Sequence, residues 1–153
     1  MGTQKKTEII TTNKKAHFNY DIKTKYLAGI LITGTEIKSI REKSCSLNES
    51  FCYIKDNEIF IKNMYVKKYE YGSLNNHEEN RDRKLLLTKQ EINKISKKVN
   101  EKGFSLIPIK VLIVKGWAKV EVGVGKGKKI YDKKEKVKNK DIKRDVDREM
   151  KSK

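Results

Sequence analysis

Ser105-Leu106-Ile107-Pro108-Ile109-Lys110-Val111-Leu112-Ile113-Val114-Lys115-Gly116-Trp117-Ala118-Lys119-Val120-Glu121-Val122-Gly123-Val124 reads as two β-strands, 105–114 and 117–124, folded into a hairpin. Valine and isoleucine dominate both runs, and branched side chains pack well on a pleated, half-buried surface. Lys115-Gly116 supplies the two-residue connection, with a glycine free to take the left-handed backbone that tight hairpins require. Pro108 has no N–H to give to a ladder, so it marks an edge or a bulge in the first strand. Trp117, Val120, Val122 and Val124 are expected to supply much of the apolar mass of the core.

Just upstream, Thr88-Lys89-Gln90-Glu91 is a capping box, in which hydroxyl and carboxylate satisfy each other's backbone donors at a helix start. The helix turns Ile92, Ile95 and Val99 inward and stops at Gly103. Farther back, 50–55 and 58–64 form another hairpin across Asp56-Asn57, a pair that tolerates left-handed backbone. The stretch 66–83 is polar and reads as a mobile loop. Ile37 and Ile40 predict a short helix over 35–41, with Lys38 and Arg41 facing out. Phe18, Tyr20 and Ile22 alternate with polar residues, as in a half-buried strand, and Tyr26 to Ile32 reads as a more buried strand ended by Thr33-Gly34.

Many short strands with so few helices favour a mainly β chain, an OB-like six-stranded barrel with two or three flanking helices. That fold commonly binds oligonucleotides on one face. The barrel is expected over 13–124, between a flexible N-terminus, 1–12, and a disordered basic C-terminal tail, 125–153. The tail holds thirteen Lys and Arg against six Asp and Glu, and its one aromatic residue is Tyr131. It has too little apolar surface to offset the entropy of ordering alone.

The 153 residues, 36% of them hydrophobic, suit one domain with an extension. The formal net charge is +17, and the tail carries only +7 of it, so the whole molecule is basic and nucleic acid is the implied partner. The N-terminal MGTQKKTEIITTNKK lacks the apolar segment of a secretory signal, and no run approaches the roughly 20 apolar residues of a membrane span. A cytoplasmic protein without a membrane partner is expected. Cys45 and Cys52 match no zinc spacing and read as reduced thiols; His17 and His77 cluster with no ligand set. Neither metal, cofactor nor enzymatic activity is expected. A ribonuclease using His17 and His77 as acid and base is the rival from another class.

Three segments suit nucleic-acid contact. Asn13-Lys14-Lys15-Ala16-His17-Phe18-Asn19-Tyr20 offers cations, amides and stackable rings, although the same composition serves a solvated strand start. In Arg83-Lys84-Leu85-Leu86-Leu87 the leucines can plug a core while the cations face water. Gly125-Lys126-Gly127-Lys128-Lys129-Ile130-Tyr131-Asp132-Lys133-Lys134 lets backbone approach a phosphate chain at its glycines while its lysines neutralise it, and it lacks P-loop spacing. Beyond it, Ile142, Val146 and Met150 recur every four residues, a marginal amphipathic helix expected to form only in a nucleic-acid-lined site.

In this order, Asn13 to Tyr20, Ala28-Gly29, Gly34 to Arg41, Arg83 to Leu87, Glu101-Lys102-Gly103 and Gly127 to Asp132 resemble the SsrA-binding protein (small protein B) family. The resemblance implies a non-enzymatic adaptor with an OB-type barrel that binds the tRNA-like domain of transfer-messenger RNA. It accompanies that RNA, charged by alanyl-tRNA synthetase and carried by elongation factor Tu, into stalled ribosomes for trans-translation. Asn13, Lys14, Tyr20, Lys38, Arg83, Lys84 and Leu86 then match RNA-binding positions, joined by Lys126, Lys128 and Lys129 leaving the barrel. Tyr131, Asp132, Lys133 and Lys134 match the start of the tail that meets small-subunit rRNA at the decoding centre and enters the empty mRNA channel. A general basic RNA-binding or ribosome-associated protein without that specificity is the alternative.

Three positions depart from the family pattern. Phe18-Asn19 stands where a histidine and an acidic residue usually precede the tyrosine. Leu27 replaces a common acidic residue and accepts no hydrogen bonds. Asp132-Lys133-Lys134 ends in lysine where arginine is usual, which exchanges a bidentate phosphate contact for a point charge.

Overall fold

The computed structural model describes residues 7–72 and 76–128. In chain order these form β1 (Glu8–Thr12), α1 (Ala16–Asn19), β2 (Tyr20–Ile30), α2 (Gly34–Arg41), β3 (Cys45–Ser46), β4 (Phe51–Lys55), β5 (Glu58–Lys62), β6 (Tyr65–Val66), β7 (Arg83–Leu86), α3 (Lys89–Val99), β8 (Phe104–Val114) and β9 (Trp117–Gly127). The chain is mainly β. Seven strands make one antiparallel sheet in the order β1-β8-β9-β2-β7-β5-β4, and β3 pairs with β6 apart from it. β4 returns against β8, so the sheet curls into a partly closed barrel with α3 packed on β8 and β9.

The hairpin of β8 and β9 is its backbone. Val114 pairs with Trp117 across Lys115 (φ 51°) and Gly116 (φ 83°), and the ladder runs to Phe104 opposite Lys126. Pro108 marks a bulge, because the register slips between Pro108 and Lys110 while β8 has a neighbour on each side. Ala118, Val120, Val122 and Val124 point inward and are buried. By the same period of two, Trp117 points out and is 73% exposed, which corrects its assignment to the core.

The hairpin of β4 and β5 turns through Asp56 (φ 52°) and Asn57 (φ 60°), both left-handed as their residue types allow. α3 opens with reciprocal hydrogen bonds between Thr88 and Glu91 and buries Ile95 completely. It ends at Val99, with Asn100 as its C-cap, so Gly103 (φ 88°) serves the following turn. α2 begins with a second capping box between Thr33 and Glu36.

Among the described residues nine strands stand where six were expected, for local reasons. Glu8–Thr12, placed in a flexible N-terminus, forms edge strand β1 on β8, because Ile9, Ile10, Thr11 and Thr12 are branched and suit a pleat. Ala16 to Asn19 makes one helical turn, closed by the Ala16 N–H to Asn13 O (3.1 Å) and the Asn19 N–H to Lys15 O (2.9 Å), which takes Phe18 out of the strand reading. The two strands expected at 18–22 and 26–32 merge into β2, continuous from Tyr20 to Ile30 with a bulge between Ile22 and Thr24. Arg83–Leu86 is a strand as well, bridging β2 and β5.

β9 runs three residues beyond the expected end of the barrel, to Gly127. A Cβ at Gly125 would lie 2.8 Å from the Asp21 carbonyl oxygen. That glycine therefore serves the close approach of β2, a correction to the reading that it admits a phosphate chain. The tail beyond Lys128 and the amphipathic 139–150 segment lie outside the described residues.

Candidate nucleic-acid interface

The register of the central strands gathers the outward residues of β2, β7 and β9 at one end of the barrel. Gly29 lies opposite Leu86 on β7 and Lys119 on β9. A Cβ there would sit 3.3 Å from Leu86 Cβ and 3.7 Å from Lys119 Nζ, so its absence lets leucine and lysine converge over the strand. Leu31 (56% exposed) and Trp117 extend the apolar floor, and Leu27 (47%), two residues before Gly29 on the same outward side of β2, joins Leu86 (47%) in placing large apolar groups in water. Thr33, Gly34, Ile37, Arg41 and Lys115 also line the groove. Arg41 Nη2 donates to Gly116 O (3.2 Å) and fixes the hairpin tip against α2. Among the described residues, neither Lys115 nor Lys119 has a carboxylate partner. An exposed indole and apolar groups flanked by two lysines without a carboxylate partner among the described residues match a base-stacking, phosphate-neutralising surface.

The residues expected at the RNA surface divide among four places. Lys84 and Leu86 lie on this face; Lys84 is half-buried and pairs with Glu58 at 2.8 Å. Lys14, Tyr20, Lys126 and Lys128 gather at the opposite end of β2, where Tyr20 pairs with Gly127. There Lys128 donates its backbone N–H to Asn19 O and its Nζ to His17 O, both at 2.9 Å. Lys38 lies exposed on α2, its Nζ 5.2 Å from the centre of the Tyr69 ring. Lys129, Tyr131, Asp132, Lys133 and Lys134 lie outside the described residues.

Asn13 and Arg83 are interior groups. Asn13 donates its side-chain amide to Pro108 O (2.9 Å) and its backbone N–H to Ile109 O (2.6 Å), which ties the segment before α1 to β8. Arg83 was expected to face water, and none of it is exposed. β-Strand alternation explains this: Lys84 and Leu86 point out, so Arg83 and Leu85 point in. All five guanidinium donors are used. Nε donates to Glu36 Oε2, Nη1 to Met64 O (2.6 Å) and Arg81 O (3.2 Å), and Nη2 to Glu78 O and Glu79 O (3.3 Å each).

Glu36 accepts in addition from Arg81 Nη2 (2.6 Å) and Nε (3.1 Å) and from the Thr33 N–H (2.9 Å). Burial pushes its carboxyl up, but the hydrogen bonds from Arg81, Thr33 and Arg83 outweigh it and hold the group below its ordinary value. Burial likewise lowers the Arg83 guanidinium while Glu36 opposes that shift.

His77 is also enclosed. Its Nε2 is 2.8 Å from Val66 O and must carry the proton, and Nδ1 is 2.9 Å from Thr35 Oγ1. A ring held on both nitrogens away from solvent joins loop to helix and is poorly placed for acid-base work. Burial pushes the Cys45 thiol up to about 11 and the Cys52 thiol higher still, so neither is a ready nucleophile. Among the described residues no group of three or more His, Cys, Asp and Glu could hold a metal, and no helix is long and apolar enough to cross a membrane.

Lys119, Lys115 and Trp117 were not singled out as interface residues from the sequence. The inward parity of Ala118, Val120 and Val122 already carried the signal that Trp117 and Lys119 share an outward face.

A family model described as "SmpB protein" matches residues 10–152. The chain is 46% identical over 144 residues to the SsrA-binding protein of Treponema denticola, covering 94% of each, and 48% identical over 145 residues to that of Borrelia garinii subsp. bavariensis, covering 95% of this chain and 97% of that one. It is also similar to a solved structure described as "tmRNA-SmpB: a journey to the center of the bacterial ribosome". That match has a TM-score of 0.65 and 40% identity, and covers 78% of this chain and 85% of the other.

Proposed function

The chain belongs to the SmpB family, and from that membership we propose that it binds transfer-messenger RNA through its tRNA-like domain and delivers it to stalled ribosomes, as an adaptor without catalysis of its own. The carrying observation is the convergence of Leu86 and Lys119 over Gly29, beside Lys115, which has no carboxylate partner among the described residues, and the exposed Leu27 and Trp117. Apolar groups standing in water lose nothing by covering bases, and free lysines release counterions when they meet phosphates. Relatives across nearly the whole length are named for binding SsrA RNA, and the structural match pairs its protein with transfer-messenger RNA on the ribosome. Action on ribosomes supports a cytoplasmic location in this reading.

The barrel, from β1 to Gly127, carries the RNA-binding face in this reading. The basic segment beyond it, with Lys129, Tyr131, Asp132, Lys133 and Lys134, enters the mRNA channel and meets small-subunit rRNA. Lys14, Tyr20, Lys126 and Lys128 border its point of departure. Lys84, Leu86 and Lys38 serve as contacts, whereas Asn13 and Arg83 act by holding the scaffold. Elongation factor Tu and alanyl-tRNA synthetase are partners only through the RNA.

The test is binding of the full chain to the isolated tRNA-like domain against an elongator tRNA, at near-physiological salt. A clear preference for the tRNA-like domain is expected. Equal, salt-labile binding to both would replace this reading with general, charge-driven RNA association.

A further inference from the structure

Beside Lys38 of α2 lies a second concentration of rings and cations. The segment Lys67-Lys68-Tyr69-Glu70-Tyr71 leaves β6, with both lysines, Glu70 and Tyr71 exposed. Tyr71 is 77% exposed, the most open of the large apolar or aromatic side chains noted among the described residues. Its ring meets that of Tyr69 edge-on, centroids 5.6 Å apart and planes at 70°, and the Lys38 ammonium sits over the Tyr69 ring.

An exposed ring on a polar loop ordinarily samples many positions, but this one stands on a tied backbone. Asn76 grips Tyr69 from both sides, accepting from its N–H (3.2 Å) and donating to its carbonyl (2.8 Å), and the Gly72 N–H adds a bond to that carbonyl at 2.9 Å. The next residue, His77, is clamped between Thr35 on α2 and Val66 O. Among the described residues the loop is thus tied to α2 at His77, and part of the entropy of placing the Tyr69 ring and its partner is spent before any ligand arrives.

The geometry points to Tyr71, backed by Tyr69 and Lys38, as a stacking platform for an unpaired loop nucleotide of the RNA that occupies the Leu86–Lys119 groove. A fixed, solvent-facing aromatic face flanked by cations suits a base with its phosphate, which any unpaired nucleotide supplies. Continuity selects the same RNA as occupant. Lys38 and Arg41 lie three residues apart on α2, about one helical turn, with Lys38 at the platform and Arg41 in the groove lining. Glu70 is the one carboxylate in the 67–71 run, against three lysines counting Lys38.

This inference rests on the RNA-binding reading above, and one experiment separates the two. The full chain and its Tyr71→Ala, Tyr71→Phe and Lys38→Ala variants are titrated with the tRNA-like domain of transfer-messenger RNA across a salt series. The titration is repeated with the same RNA whose unpaired loops are replaced by short, stably closed hairpin caps. Tyr71→Ala is expected to weaken binding about tenfold, as for loss of one stacked base, with an unchanged melting temperature and salt slope. Tyr71→Phe should retain affinity, Lys38→Ala should reduce the salt slope by about one, and the Tyr71→Ala penalty should vanish on the capped RNA. Parent-like binding by Tyr71→Ala, or an equal loss on both RNAs, overturns the platform while a Leu86→Ala defect keeps the groove reading intact. Failure of the parent chain to prefer the tRNA-like domain removes both.

Discussion

Glu36 of α2 and Arg83 of β7 form an ion pair with neither side chain exposed to water. Met64, Glu78, Glu79 and Arg81 offer their carbonyls to the same guanidinium, so one side chain joins α2, β7 and the returning loop. Removing one partner leaves a buried charge without compensation. Glu36→Ala is expected to destabilise the protein by about 3–5 kcal/mol, seen as a lower urea midpoint with an unchanged slope. Arg83→Lys should not rescue the network, because an ammonium has three donors for the five acceptors. A near-parental midpoint for either variant would show that the pair is dispensable.

The same carboxylate sets an acid limit. Its folded-state pKa lies below the ordinary 4.5, so the unfolded chain binds the proton more readily. Its contribution to stability is therefore complete above about pH 4.5 and is lost as the pH falls through the folded value. Arg81 and Arg83 are the cations that face it. The urea midpoint should decline below pH 4.5, and Glu36→Gln should flatten that limb while lowering the plateau.

Gly29 sets the approach of Leu86 to Lys119. Gly29→Val places branched carbons against Leu86 at a position already tighter than ordinary contact, and the neighbour lies on an exposed face that can yield. A modest stability loss is expected, about 1 kcal/mol, together with a clear loss of affinity for the tRNA-like domain. Retained affinity would remove this point from the interface.

Trp117 is the chain's one tryptophan, so its fluorescence reports a single site. The free protein should emit as a water-exposed indole, and RNA should shift or quench that emission. Trp117→Ala should change stability by no more than about 0.5 kcal/mol while weakening RNA binding. Blue-shifted emission before RNA is added would place the ring in the core after all.

The strong local signals in the sequence correspond to the parts of the fold whose geometry depends on a few neighbouring residues. Asp56-Asn57, Lys115-Gly116 and the Thr88–Glu91 box needed no distant partner to be read. Where a distant partner decided the outcome, the sequence pattern alone misled. Glu8–Thr12 is a strand because β8 offers an edge, and Phe18 leaves the strand pattern because the Asn13 carbonyl closes a turn. Arg83 reads as a surface cation until Glu36, 47 positions away, is brought against it. For the interface, Leu86 was matched only through the family resemblance and Lys119 was not singled out, although the inward parity of Ala118 and Val120 implied that it faces outward; their meeting over Gly29 depends on the order β9-β2-β7, which neighbouring residues do not encode.

β2 also acts as a ruler. From Gly29, under the groove, to Tyr20, where Lys128 leaves the last strand, nine residue steps span at most about 30 Å. Because β9 runs beside it over that whole length, the separation between RNA grip and tail exit is graduated in paired residues and cannot drift with loop motion. One residue added to β2 would both lengthen the ruler and turn its remaining side chains over. Spacing and facing are thus locked together, and a chain that changes one must compensate for the other.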